Sequence, residues 1–202
     1  MEPIFPYDTG WIEVICGGMF SGKTEELLRR VRRAQIAGQR VRLFKPDIDV
    51  RYHPTAVVSH DQSLLEAQPV PNSDAIYLLS ADAQVIGIDE AQFLDMGIVE
   101  VANRLADSGK RVIIAGLDMD YRGRPFGPMP SLMAVAEFVT KLHAICVRTG
   151  GVAHYSYRRP VRGETILPGA GELYEPVSRR AFCELRAYYE EEEGIQKPTS
   201  DR

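Results

Sequence analysis

Gly17-Gly18-Met19-Phe20-Ser21-Gly22-Lys23-Thr24 is the stretch that decides how this chain folds. Two glycines with four residues between them, followed at once by lysine and threonine, have the spacing of a phosphate-binding loop. The flanks agree. Trp11-Ile12-Glu13-Val14-Ile15-Cys16 reads as a short buried strand before the loop. After it, Leu27, Leu28, Val31, Ala34 and Ile36 recur at helical spacing. The glycines let backbone N–H groups turn inward around a phosphate, at a helix N-terminus whose dipole favours anions. Gly17, Gly18, Met19, Phe20, Ser21, Gly22, Lys23 and Thr24 are therefore read as a nucleoside triphosphate site. Lys23 would reach the β- and γ-phosphates, and the Thr24 hydroxyl would hold Mg²⁺.

The chain has 202 residues, of which 45% are hydrophobic and 26% charged, enough for one domain with a sizeable core and an appendage. A net charge of −4 speaks against a chain-wide attraction to nucleic acid. The run Arg29-Arg30-Val31-Arg32-Arg33 is read as the solvated face of the helix whose Leu27 and Val31 turn inward. Met1 to Gly10 carries Glu2, Pro3 and Pro6 instead of an apolar segment, so no signal peptide is read there. No apolar run approaches the length of a membrane span. Cys16, Cys146 and Cys183 are too few and too scattered for a disulfide framework. A cytoplasmic protein with no membrane or nucleic-acid partner is the expectation.

Gly38 ends the first helix, and Val41-Arg42-Leu43-Phe44 is a second strand closed by Lys45-Pro46. Asp47 to Asp61 reads as a polar, mobile loop or hairpin, and Ala75 to Ser80 is left open between helix and strand. Val85-Ile86-Gly87-Ile88-Asp89-Glu90 is an apolar run ending in two carboxylates, the pattern of a central parallel strand. A helix follows over Ile98 to Ser108, closed by Gly109, and then a buried strand, Arg111 to Ala115. Pro130 opens a helix over Ser131 to Thr140, and Lys141 to Cys146 is the last core strand. Strands and helices alternate to about residue 148, which predicts an α/β fold with a parallel sheet flanked by helices. Past that point Gly150-Gly151 and Leu167-Pro168-Gly169-Ala170-Gly171 point to a small irregular lid. The expected division is a core over 1–148, a lid over 149–182, and a helix and tail over 183–202. The helix is read over Phe182 to Glu193, and Gly194 to Arg202 as a disordered tail.

Asp89, at the end of its apolar strand, has the position of the aspartate that holds Mg²⁺ opposite a phosphate loop. Glu90, one residue on, would face the γ-phosphate and take a proton from an attacking water or from a substrate hydroxyl. The residues by themselves leave an ATPase and a kinase both open.

Several motifs occur together and in order: Met19-Phe20-Ser21-Gly22-Lys23, Lys45-Pro46 with Asp49-Val50-Arg51-Tyr52, and Ile88-Asp89-Glu90-Ala91-Gln92-Phe93. Gly116-Leu117-Asp118, Arg122 with Pro125-Phe126-Gly127, and Lys141-Leu142 with Ala144-Ile145-Cys146 complete the set. From about Gly10 to Arg180 the chain resembles the small cytosolic-type (type II) thymidine kinases, which have a RecA-like phosphate-loop core and a C-terminal lid, or lasso. The resemblance implies transfer of the γ-phosphate of ATP to the 5′-hydroxyl of thymidine, and of deoxyuridine, in nucleotide salvage for DNA synthesis. It implies that Glu90 is the general base, that Asp89, Glu90, Ala91 and Gln92 continue the ATP site, and that Thr24 and Asp89 hold Mg²⁺. Met19, Phe93, Leu117, Tyr121 and Phe126 would line the nucleoside pocket, with Asp49 and Arg51 ordering the reacting groups. Ser156, Ile166, Leu167, Gly169 and Tyr174 would form the lid over the base. Inhibition by thymidine triphosphate and a homotetramer are implied in the same way. A RecA-like ATPase or a regulatory nucleotide-binding module is the alternative.

Members of that family commonly carry a structural zinc on two cysteine pairs. Here Cys146 remains, while Thr149, Ser178 and Ala181 stand at the other ligand positions, and neither a hydroxyl nor a methyl group replaces a thiolate on zinc. His143 and His154 would serve only after rearrangement. No structural zinc is expected.

Overall fold

The apolar run that precedes the phosphate loop forms strand β1 (Trp11–Gly17), buried along nearly its whole length in the computed structural model. The structure describes residues 9–47, 56–58, 64–159 and 173–192. Helix α1 (Lys23–Ile36) leads to β2 (Val41–Pro46), the short strands β3 (Ala56–Val58), β4 (Leu64–Glu66) and β5 (Gln68–Val70), then α2 (Ser73–Leu79) and β6 (Val85–Ile88). After these come α3 (Ile98–Asp107), β7 (Arg111–Gly116), α4 (Met129–Val135) and β8 (Phe138–Leu142). Six strands pair in the order β5-β2-β6-β7-β1-β8, every pairing parallel.

Alternation along the strands sorts their side chains between two cores, because successive residues point to opposite faces. Ile15, Leu43, Val85, Ile113 and Ala115 meet Leu27, Leu28, Val31 and Ala34 of α1 on one face. Ile12, Val14, Cys16, Ile86, Ile88, Val112 and Ile114 meet α2, α3 and α4 on the other, through Ile76, Ile98, Val101, Leu105 and Leu132. Each fully buried leucine or isoleucine contributes about 1.5–3 kcal/mol over an exposed one. With both faces covered, the strands read as near-continuous apolar runs, as expected from the sequence.

A smaller module follows the sheet. Strands β9 (Ala144–Ile145) and β10 (Val152–Ala153) pair antiparallel, as do β11 (Tyr155–Arg158) and β12 (Tyr174–Val177), and helix α5 spans Arg179–Glu192. Ala144, Cys146, Ala153, Tyr155, Tyr157, Val177, Ala181 and Phe182 form its own core. The Tyr155 and Phe182 rings stack at 4.3 Å between centroids. No helix among the described residues is long and apolar enough to cross a membrane.

One open segment is settled and four expectations change. Of the open segment Ala75 to Ser80, Ala75 to Leu79 belong to α2 and Ser80 caps its C-terminus, while Asn72 caps the other end by accepting the Ala75 N–H at 3.1 Å. The helix expected over Ser131 to Thr140 stops at Val135, where Ala136 turns extended, and the last core strand is Phe138–Leu142 instead of Lys141 to Cys146. Pairing of Phe138 and Val139 with Glu13 and Val14 of β1 outweighs the helical spacing there. Ile36, counted with the buried helix face, lies at its last turn and is 86% exposed. The terminal helix begins at Arg179, ahead of the Phe182 start read from spacing.

The arginine run also divides. Arg29 and Arg33 face solvent, whereas Arg30 turns inward and donates to Glu13 Oε2 at 2.7 Å and to Thr140 Oγ1 at 2.9 Å. Glu13 also accepts from Arg111 Nε at 2.6 Å and Trp11 Nε1 at 2.7 Å. Burial works against the charge of Glu13, but the Arg111, Trp11 and Arg30 hydrogen bonds outweigh it and hold the carboxyl below its ordinary value. Its contribution is therefore complete above the ordinary carboxylate range and is lost as pH falls through the lower folded value. Glu13→Gln takes the carboxylate from the partly buried Arg111 and leaves Arg30 with Glu26 and Thr140 alone, and should cost about 3 kcal/mol at neutral pH. Chemical denaturation at several pH values should show that difference shrinking in acid. An equal gap at neutral and acidic pH would contradict the assignment.

Candidate active site

The phosphate loop leaves β1 at its C-terminal end and enters α1 through Gly22, which caps the helix at φ 84°, a left-handed conformation open to glycine without strain. Lys23 is buried, and its Nζ donates to the Gly18 carbonyl oxygen at 2.8 Å. Ser21 Oγ donates to the same carbonyl at 2.8 Å. Burial pulls the Lys23 ammonium below its ordinary value, against the attraction of Glu90, Asp89 and Asp118. Thr24 Oγ1 donates to Asp89 Oδ2 at 3.1 Å, so the helix start and the end of β6 meet.

Asp89 accepts from the Glu90 N–H at 3.0 Å through its other oxygen. Burial, and then the neighbouring Glu90 charge, push its carboxyl well above the usual range. A buried carboxylate held up in this way, beside a threonine hydroxyl, is an oxygen donor set of the kind Mg²⁺ takes. The residues fit that ion.

Glu90 sits at φ 52°. Among the described residues, it and Phe20 at φ 62° are the two non-glycine residues with positive φ, and both lie at this site. Such a conformation costs about 1–3 kcal/mol and persists where the surroundings enforce it. Here they do. The 3-10 turn Ala91–Phe93 follows directly, and Gln92 of that turn is buried. Its Oε1 accepts the Leu117 N–H at 2.9 Å, and its Nε2 donates to Glu90 Oε2. Because a backbone N–H can only donate, the amide has one orientation, with its NH₂ toward Glu90. The turn is closely backed: a Cβ on Gly127 would stand 2.3 Å from the Gln92 carbonyl oxygen.

The residues assigned to a nucleoside pocket gather on the same end of the sheet. Phe93 is 39% exposed and meets Phe126 edge-on at 5.6 Å between centroids. Leu117 is buried at the end of β7. Arg122 and Arg158 lie over the Tyr121 ring at 5.3 and 5.6 Å, and Tyr174 pairs with Arg158 across β11 and β12. Met19 and Ser156 are joined by a hydrogen bond of 2.8 Å. Asp49, Arg51, Ile166, Leu167 and Gly169 lie outside the described residues.

Two arrangements escaped the sequence reading. Asp118, buried just past β7, holds Lys141 Nζ at 2.7 Å from its Oδ2 and raises that ammonium above its ordinary value. Gln92 turns its side-chain amide onto the Glu90 carboxylate. Both partners of the ion pair stood in quoted motifs, but their contact depends on strand order, which spacing does not reveal.

The zinc ligand positions do not fit zinc. Burial would push the Cys146 thiol up, but the Thr149 hydroxyl and the backbone N–H groups of Ser178, Arg148 and Thr149 donate to its sulfur and bring it down to about 6. His143 and His154 instead pack edge-on against each other at 4.5 Å. Among the described residues no group of three or more His, Cys, Asp or Glu could hold a metal ion.

Residues 10–182 match the protein family described as "Thymidine kinase". A "Thymidine kinase" of Rhodothermus sp. (strain ITI 518) is 59% identical over 185 residues, covering 90% of this chain and 87% of the relative. One from Porphyromonas gingivalis is 58% identical over 173 residues, covering 86% and 85%. One from Bacteroides fragilis is 53% identical over 184 residues, covering 91% and 92%. With a phosphate loop, a strand-end carboxylate pair and this likeness along almost its whole length, the chain belongs to the thymidine kinase family.

Proposed function

We propose that the chain transfers the γ-phosphate of ATP to the 5′-hydroxyl of thymidine, with Glu90 as general base. The observation that carries this is the position of Glu90: strained, held by Gln92, and one residue past the Asp89 that meets Thr24. A ribose hydroxyl is a weak nucleophile at neutral pH, and a placed carboxylate accepts its proton as the oxygen attacks. Lys23 and the loop N–H groups stabilise charge on the transferring phosphoryl group. Thr24 and Asp89 would hold Mg²⁺, which supplies neutralisation of phosphate charge when bound. Met19, Phe93, Leu117, Tyr121 and Phe126 form the nucleoside side in this reading, and the module from Ala144 onward, Ser156 and Tyr174 included, is its lid.

Base choice follows from hydrogen-bond arithmetic. A cytosine amino group facing groups built for thymine leaves buried donors unpaired and is strongly rejected, while the thymine methyl is worth about 1–3 kcal/mol. We further propose inhibition by thymidine triphosphate, a homotetramer and a cytoplasmic location; added triphosphate and light scattering test the first two.

With the four deoxynucleosides and deoxyuridine supplied separately, ADP formation should require nucleoside and should favour thymidine and deoxyuridine. ADP formed equally without nucleoside would make the protein an ATPase, and deoxycytidine matching thymidine would refute the base assignment. Glu90→Gln should retain ATP binding and lower kcat by about 10²–10⁴-fold. Gln92→Met should act in the same direction with a smaller loss and little change in KM. A Glu90→Gln enzyme of near-normal kcat would remove the base from this role. For the zinc position, we infer that Cys146 is held by hydrogen bonds without metal. Elemental analysis of protein purified without chelator should find far less than one zinc per chain, and a stoichiometric value would overturn this.

A further inference from the structure

Three successive residues of the phosphate loop lean on the C-terminal module. A Cβ on Gly18 would stand 3.2 Å from Ser156 Oγ and 3.6 Å from the His154 carbonyl oxygen. Met19 donates its N–H to that same Ser156 Oγ at 2.8 Å. Phe20, at φ 62°, packs against the module core that includes Tyr155 and Phe182. Ser156 is only 5% exposed, so this is an interior joint and not a surface contact.

The joint reaches the loop lysine through few atoms. The Gly18 carbonyl accepts from both Lys23 Nζ and Ser21 Oγ. Ser156 therefore sets the place of Met19 and Gly18, and Gly18 sets the resting place of the loop ammonium. A buried N–H that loses its acceptor is costly, so the loop arm and β11 keep their register for as long as the Ser156 hydroxyl is present. Met19 is also the loop residue assigned to the nucleoside side. A ligand that orders either partner thus orders the other, and such coupling is reciprocal.

We propose that Ser156 is a positioning residue for phosphoryl transfer: its hydroxyl ties the phosphate loop to the nucleoside-side module, so that each substrate tightens the site for the other. This rests on the reading of that module as the nucleoside lid. It places Ser156 on the loop backbone, where its hydroxyl oxygen accepts the Met19 N–H.

Calorimetric titration of the full chain and of Ser156→Ala tests it, using thymidine and a non-hydrolysable ATP analogue, each alone and with the other saturating. In the unmodified protein each ligand should raise the affinity for the other by about fivefold or more. In Ser156→Ala each ligand alone should still bind, the mutual enhancement should fall below about twofold, and kcat should drop by a larger factor than the thymidine KM rises. Undiminished coupling in the variant, or none in the unmodified protein, overturns the proposal. Failure of thymidine to bind the unmodified protein would instead refute the lid reading. Should the variant not fold, hydrogen exchange of the unmodified protein decides: the ATP analogue alone should slow exchange across Tyr155–Arg158, and unchanged exchange there overturns the joint.

Discussion

Everything at the site depends on β7 lying between β1 and β6 in one parallel sheet. That order sets the C-terminal ends of three strands side by side, and each ends in a different tool. From β1 comes the phosphate loop, from β6 the Asp89–Glu90 pair, and from β7 the Leu117 N–H and the Asp118 carboxylate. The Thr24–Asp89 contact closes the first two. Gln92 closes the second and third, since its amide accepts from Leu117 and donates to Glu90. Ligand sites at the carboxyl ends of parallel strands are a general property of open α/β sheets. In this chain the generality becomes specific through a few polar side chains.

Strain and support are paired at the site. Glu90 and Phe20 hold left-handed backbone conformations that their side chains resist. Glu90 is kept there by a clamped 3-10 turn and Phe20 by the core of the C-terminal module. Both residues lie at the candidate active site. The stabilisation comes from packing several residues away, as with Gly127 against the Gln92 carbonyl.

Much of this was legible in the sequence because it is local. The loop with the apolar strand before it, and the carboxylates that end the Val85–Ile88 run, are each patterns confined to one short stretch, and local pattern reports local structure. Pattern failed where a partner far along the chain decided. Phe138 and Val139 continue a helical stripe, yet pairing with β1 makes them a strand. Arg30 sits in a run that reads as solvated, yet Glu13 on the adjoining strand turns it inward. Asn72 was a local signal for α2 that a helix of seven residues is too short to confirm by periodicity. The Met19–Ser156 bond joins residues 137 apart, and no spacing rule reaches that far.

The central claim is that the Glu90 carboxylate is the group positioned to accept the proton from the nucleoside 5′-hydroxyl. The most direct measurement is a crystal structure of the protein with thymidine and a non-hydrolysable ATP analogue bound together. The account predicts a Glu90 carboxylate oxygen about 2.6–3.2 Å from the 5′-oxygen, directly or through one water. A complex with both ligands seated and Glu90 turned away from the 5′-oxygen, with another group in its place, would contradict it.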